Sequence, residues 1–273
     1  MNKNIDFFIK KYLENRPAFM PLIRPQEAYL FQKFKKYLKK KILDFGCGDG
    51  FFAKVTFGKN FIDIGLDIKN ERTLKIVNKK IYKKVVIYDG KKIPFKDNFF
   101  QTIVSNCVLE HLPKLNQSLK EINRVLKRNG YFLTTVMTDK WSQFMLGKKV
   151  FGKAYVSLIN KKQKHFNLLT VSQWQKVFEK NGFSIIEKIG YLSKRNSQFL
   201  DLFHYFSIPS LLTYKIFGRW VIYPSWYKFL KIDKFIKKQI SFPPPENSAT
   251  VFFVLKKFKS SFSNHNISKS KQL

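Results

Sequence analysis

The chain has 273 residues, 44% of them apolar, which is enough for one substantial α/β domain with an elaboration and too apolar for a disordered chain. Its 52 Lys and Arg against 18 Asp and Glu leave a formal charge of +34, a surface that attracts phosphates of nucleic acid or of an anionic leaflet. Two cysteines, Cys47 and Cys107, exclude a disulfide framework and indicate a reducing compartment.

Residues 1–17 lack the continuous apolar stretch of a signal peptide and read as a basic amphipathic helix, with Ile5, Phe8, Ile9, Tyr12 and Leu13 at helical spacing. A proline break at Pro17, Pro21 and Pro25 separates it from a second helix, so residues 1–40 form an N-terminal helical segment. Strands and helices then alternate. Strands are expected at 41–45, 61–66, 82–88, 100–105 and 131–136, with helices near 51–57 and 71–80 and another carrying Leu115, Leu119, Ile122, Val125 and Leu126 on one face. Asn129-Gly130 is expected to stop that last helix. A further helix starts at Thr170 with a Thr170–Gln173 capping box and ends at Gly182, before strands at 183–189 and 249–256.

This alternation predicts an α/β fold: a Rossmann-like, seven-stranded, mostly parallel sheet flanked by helices, with a helical cap inserted between the last two strands. The core domain is expected over residues 41–191 and 248–257, an aromatic and basic cap over 192–247, and a disordered Ser-, Asn- and Lys-rich tail over 258–273. The longest uncharged apolar stretch, 202–214, contains Pro209 and is too short to span a bilayer. A cytoplasmic location is expected, at or near the inner face of the membrane.

Between the first strand and its helix lies Leu43-Asp44-Phe45-Gly46-Cys47-Gly48-Asp49-Gly50. Glycines there permit positive φ and let a ligand approach the backbone, while amides at the helix start favour electron-rich ligand atoms. The spacing is G-x-G-x-G, not the G-x-G-x-x-G of a dinucleotide site. Asp67 follows at the end of the second strand, where a carboxylate can accept both hydroxyls of a ribose.

These segments, with GLDI at 65–68, YDGKKIPFKDNFFQTIVSNCVLEHL at 88–112 and LKEINRVLKRNGYFLTT at 119–135, resemble the class I S-adenosylmethionine-dependent methyltransferases, and among them the type 11 family. The family's usual Pro-Gly-Gly turn is here Arg128-Asn129-Gly130. The resemblance implies S-adenosylmethionine as cofactor, its methionine part wrapped by Gly46, Cys47, Gly48 and Gly50 and its ammonium oriented by Asp44. It further implies that Asp67 holds the ribose, that Ile68 packs on the adenine, and that Asp89, with Gly90 beside it, accepts from the adenine amino group. Ser105 and Asn106 would face the methionine and the transferred methyl. Some relatives bind metal through E-x-x-E-H; here Cys107 stands at the first glutamate position before Glu110-His111, so the ligand set is broken and no metal is expected.

Methyl transfer from a sulfonium needs alignment more than acid–base chemistry, so no catalytic residue follows from the motifs. His165 and Trp141 are candidate acceptor contacts. In the cap, Phe229, Ile232, Ile236 and Ile240 share one helical face while Lys231, Lys234, Lys237 and Lys238 lie mostly opposite, which fits a membrane interface or a cap packed on its own core. The leading expectation is a methyltransferase for a small-molecule acceptor or one linked to lipid or glycan, such as a quinone-type, isoprenoid or glycan intermediate. The charge keeps a tRNA or rRNA methyltransferase as an alternative, although no N-P-P-Y-like sequence follows the fourth strand. An inactive scaffold binding membrane or a partner is the third reading.

Overall fold

The computed structural model describes residues 3–77 and 79–258, so the expected tail from 259 lies outside the described residues. Strands β1 (Ile42–Phe45), β2 (Ile64–Ile68), β3 (Lys84–Tyr88), β4 (Phe100–Asn106), β5 (Leu126–Met137), β6 (Phe183–Gly190) and β7 (Thr250–Lys257) form one sheet in the order β3-β2-β1-β4-β5-β7-β6. The first five strands run parallel and β7 is antiparallel to both neighbours. A central parallel strand is covered on both faces and needs apolar residues throughout. Accordingly β1 is buried at every position.

One face carries α1 (Lys3–Asn15), α2 (Arg24–Lys33) and α3 (Phe51–Phe57), whose Ile9, Leu13, Phe31 and Ala53 pack in one cluster with Ile42, Val104 and Phe252. The other is covered by α5 (Leu115–Val125) and α8 (Val171–Lys180), with Leu119, Ile122, Trp174 and Phe178 against Leu43, Ile103 and Phe253. The short α4 (Glu71–Leu74) follows β2. After β5 come α6 (Lys140–Phe144) and α7 (Leu146–Gln163), the latter kinked at Gly152; the cap between β6 and β7 holds α9 (Lys194–Phe206), α10 (Ile208–Phe217), α11 (Trp226–Phe229) and α12 (Ile232–Gln239).

The capping box of α8 is formed, Thr170 and Gln173 exchanging bonds of 3.2 and 2.9 Å. Several boundaries differ from the sequence expectation, those of β2, α4 and α5 for identifiable reasons. Strand β2 starts at Ile64, because the Asp63 carboxylate accepts the Ile42 N–H (2.8 Å) and the Lys83 ammonium (2.6 Å) at the entry to the ladder. Helix α4 ends at Leu74, where the chain tightens into i→i−3 bonds. Helix α5 ends at Val125, and Asn129-Gly130 lies instead in a bulge, the β4–β5 register jumping from Phe100↔Leu126 to Thr102↔Tyr131.

The apolar stripe of α1 is turned inward: Ile5, Phe8, Ile9, Tyr12 and Leu13 are all at most 4% exposed. Helix α12 likewise buries Ile236 and Ile240 and joins α1 through Lys237–Asp6 (2.7 Å). Both basic amphipathic helices therefore pack on the protein's own core. Among the described residues no helix is long and apolar enough to cross a membrane.

Candidate active site

The strand order reverses at β1: β2 and β3 lie on one side, β4 and β5 on the other. In open α/β sheets the crevice beyond the carboxyl ends at such a switch point is where ligands bind. The glycine loop emerges there, with φ of +78° at Gly46, +54° at Gly48 and +67° at Gly50. A Cβ at Gly46 would lie 2.5 Å from Val108 Cγ2, so this glycine lets the loop pack directly on the segment after β4. Around Gly48 the space is open, and its N–H donates to Asp67 Oδ2 at 2.7 Å. Asp67 Oδ1 accepts the Ile68 N–H at 2.7 Å. A cavity of about 390 Å³ is lined by Gly48, Asp67, Asn70, Glu71 and Arg72. An open glycine cradle beside a half-buried carboxylate, whose oxygens keep lone pairs beyond their amide bonds, fits a nucleoside with two vicinal hydroxyls.

Burial raises the Asp67 carboxyl despite those two amide donors. It acts more strongly on Asp44, pushed up to about 7 although the Tyr82 hydroxyl donates to it at 2.7 Å. The Tyr82 ring reaches Asp44 between Gly50 and Gly65, where a Cβ would come within 3.2 and 2.8 Å of it. Cys47 is buried and its thiol raised, first by burial and then by Asp44 and Asp67. On the far side of Asp67, half-exposed Ile68 meets the backbone at Gly90, a Cβ there lying 3.4 Å from its Cγ2. Asp89 is exposed, and the N–H groups of Lys91 (2.8 Å) and Lys92 (3.3 Å) hold its carboxyl below the usual range.

At the end of β4 the arrangement turns toward α2. Ser105 is fully buried, its hydroxyl without a partner among the described residues. Asn106 donates to Glu27 Oε2 (2.9 Å) and accepts from Thr135 (2.8 Å). Glu27 is itself fully buried and also accepts from Arg24 (2.7 Å), the Tyr191 hydroxyl (3.0 Å) and the Cys107 thiol (3.2 Å). Cys107 holds φ of +51°, a strained conformation for a non-glycine residue. Beside this hub, Glu110 is fully buried and neither carboxylate oxygen has a hydrogen-bond partner among the described residues. Burial pushes its carboxyl up to about 7. The Tyr12 hydroxyl is equally buried and has no partner among the described residues; burial raises it, with Arg24 opposing and Glu27 adding to the effect.

His111 and His165 stack with centroids 4.9 Å apart. Burial lowers both, His165 to about 4 with His111 adding to the effect, so both rings are neutral at pH 7. The chain just after His165 is pinned to the backbone carbonyl of Glu110 by the N–H groups of Phe166 and Asn167. Trp141 is 1% exposed inside the α1-side cluster and lines neither the cavity nor the Glu27 hub.

Of the expected site residues, Gly48 and Asp67 thus line one cavity, while Asp44 is buried under the Tyr82 hydroxyl, Ile68 approaches Gly90, and the Asn106 side chain is turned to Glu27. Sequence reasoning missed Tyr82, Glu27, Arg24, Tyr12 and Tyr191. These residues belong to no motif; the one available signal was Glu27, a carboxylate within the segment Glu27–Phe31 that otherwise carries apolar residues.

A model of the type 11 methyltransferase domain matches residues 43–134. An uncharacterized protein of Methanocaldococcus jannaschii is 34% identical over 157 residues, 57% of this chain and 71% of that protein. Another protein of that organism is 31% identical over 140 residues, and there the chain spans only 60% of its relative's length. The malonyl-(acyl-carrier protein) O-methyltransferase of Buchnera aphidicola is 26% identical over 205 residues, 70% of this chain and 82% of that enzyme. In fold, the chain is similar to a Haemonchus contortus phosphoethanolamine N-methyltransferase solved with S-adenosylhomocysteine, with a TM-score of 0.55 and 17% identity over 94% of this chain and 59% of that one. The chain belongs to the type 11 family of class I S-adenosylmethionine-dependent methyltransferases. Its cofactor is S-adenosylmethionine.

Proposed function

We propose that the protein transfers the methyl group of S-adenosylmethionine to a small-molecule acceptor, or to one carried on a lipid or glycan, which approaches from the side of Glu27, Glu110 and Tyr191. The observation that carries this reading is enclosure. Glu27, Glu110 and Tyr191, gathered where β4 ends, are fully buried, an arrangement suited to an acceptor group inserted into the protein and not to a folded nucleic acid laid on its surface. Relatives named for malonyl-(acyl-carrier protein), sterol and demethylmenaquinone substrates support the same class of acceptor.

The cofactor supplies an electrophilic methyl on a sulfonium with a good leaving group. Asp67, oriented by the Gly48 amide, holds the ribose, the loop glycines wrap the methionine end with Asp44 receiving its ammonium, and Ile68 packs the adenine, for which Asp89 beside Gly90 accepts from the amino group. The chain's remaining contribution is alignment and exclusion of water. A hydroxyl acceptor must also lose a proton. Glu110, whose carboxylate oxygens have no hydrogen-bond partner among the described residues and whose carboxyl burial pushes up to about 7, would take that proton at a carboxylate oxygen.

Incubating the protein with labelled S-adenosylmethionine and, in parallel, a lipid extract, a small-metabolite extract and total RNA tests the reading. Label in the lipid or metabolite fraction is expected; label confined to RNA would overturn the acceptor class. Absence of S-adenosylhomocysteine binding in calorimetry would overturn the site.

A further inference from the structure

Helix α10 departs from every other helix long enough to show a face: none of its ten residues is buried. Ile208, Leu211, Leu212, Ile216 and Phe217 are each more than half exposed. A soluble helix normally spends such side chains on a core, and a contiguous exposed apolar surface marks a binding face. The surface continues beyond α10. Tyr205 and Phe206 at the end of α9 are exposed, and the Tyr205 hydroxyl donates to that of Tyr155 on α7 at 2.7 Å. Phe151, 67% exposed, lies 6.1 Å from the Tyr155 ring, and its neighbour Val150 is 71% exposed. Further along the cap, an open groove of about 330 Å³ is lined by Tyr223, Ser225, Lys228 and Phe229.

The charge on these segments selects the occupant. Residues 146–163 carry five lysines and residues 202–231 four Lys and Arg, with no Asp or Glu in either stretch. A second copy of this chain docking face to face would set these cations against one another. A nucleic acid would meet Leu, Ile and Phe where it needs cations and stacking platforms. Apolar side chains ringed by lysines match a lipid surface with anionic headgroups, where the former enter the acyl boundary and the latter meet phosphate.

We propose that the face formed by α7, the end of α9 and α10 docks on an anionic membrane surface, without crossing it. This deepens the lipid-linked branch of the proposed function by setting the site beside the bilayer that carries such an acceptor. The docking face is distinct from α1 and from Ile236 and Ile240 at α12, which are buried, whereas Phe229, expected on the same stripe, lies exposed on α11.

The test is flotation of the full chain with vesicles of phosphatidylcholine alone and of phosphatidylcholine mixed with phosphatidylglycerol, with S-adenosylhomocysteine affinity measured on each sample. Binding is expected to the mixed vesicles and to fall at least about tenfold in Leu212→Ser/Ile216→Ser, two exposed positions. Lys149→Gln and Lys215→Gln should each weaken it by about fivefold. Cofactor affinity should be unchanged throughout, which shows that the variants fold. Failure to float with intact cofactor binding overturns the docking face and leaves the methyltransferase reading standing. Flotation that salt abolishes but Leu212→Ser/Ile216→Ser does not change overturns it as well, as does a dimer in sedimentation velocity that the same variant dissociates.

Discussion

Arg16 donates to Asp49 across 2.5 Å, and this bond ties the end of the first helix to the glycine loop. The guanidinium also lies 4.1 Å from the Phe51 ring at the start of α3, and Tyr12 packs edge-on against the same ring at 5.2 Å. The end of helix α1 is therefore latched to the glycine loop at a charged residue of the loop itself. An ion pair this exposed contributes about 1 kcal/mol. Arg16→Ala should raise the dissociation rate of S-adenosylhomocysteine by about fivefold in stopped-flow measurements, with little change in melting temperature.

Asp67 accepts two backbone amides and, in the proposed complex, two ribose hydroxyls. Hydrogen bonds to a charged acceptor are worth about 1.5–3 kcal/mol each. Asp67→Ala is expected to weaken S-adenosylhomocysteine binding by about a hundredfold or more in isothermal titration, and Asp67→Asn by less.

Gly46 and Gly48 share positive φ but differ in surroundings. Gly46→Ala forces a methyl into Val108 in addition to straining the backbone, and should cost roughly 2–4 kcal/mol in urea unfolding. Gly48→Ala meets nothing in the protein and should cost only about 1 kcal/mol. Its methyl would instead occupy the ligand's side of the loop, so cofactor affinity should drop sharply while the fold persists. Val108→Ala should recover part of the Gly46→Ala loss and none of the Gly48→Ala loss.

Glu27 collects four donors from α2, β4 and the residue after β6. Removing Glu27 leaves Arg24, whose side chain is 23% exposed, and three other donors without their acceptor, which costs on the order of 3 kcal/mol. Glu27→Ala should therefore lower stability far more than any surface substitution, read as a drop in the urea midpoint.

Glu110 gives the pH dependence. Its carboxyl is raised by burial from 4.5 to about 7, so the folded state holds a proton that the unfolded chain has released. That contribution to stability is present in full below the unfolded pKa and is lost as pH rises through the folded one. Stability of the ligand-free protein should decline between about pH 5 and pH 7.5, with Asp44 adding to the same trend. Glu110→Gln should flatten the decline, removing on the order of 3 kcal/mol of pH dependence.

What the sequence showed and what it hid follow from how far apart the contributing residues lie. The loop, Asp67 and the strand pattern are local: a strand, a tight turn and a helix start encode themselves in adjacent residues. Asn129-Gly130 marked a real irregularity of the backbone, yet recognising it as a bulge and not a helix end required knowing that β4 would pair with Leu126 first. The Glu27 hub joins residues up to 164 positions apart, so no spacing could reveal it. The amphipathic stripes of α1 and α12 were visible, but periodicity gives a face and not what covers it. The face left uncovered belongs to α10, whose side chains are apolar on all sides and carry no stripe to detect.

Burial of Asp44, opposed by the bond from Tyr82, would make capture of a cofactor ammonium at this carboxyl a proton-releasing event. Near neutrality Asp44 is shared between its acid and its carboxylate, with only a phenol to stabilise the latter. A methionine ammonium set against it favours the ionised form, so binding should expel up to one proton to the solvent. The apparent binding enthalpy would then vary with the ionisation heat of the buffer, and the dependence would vanish in Asp44→Asn.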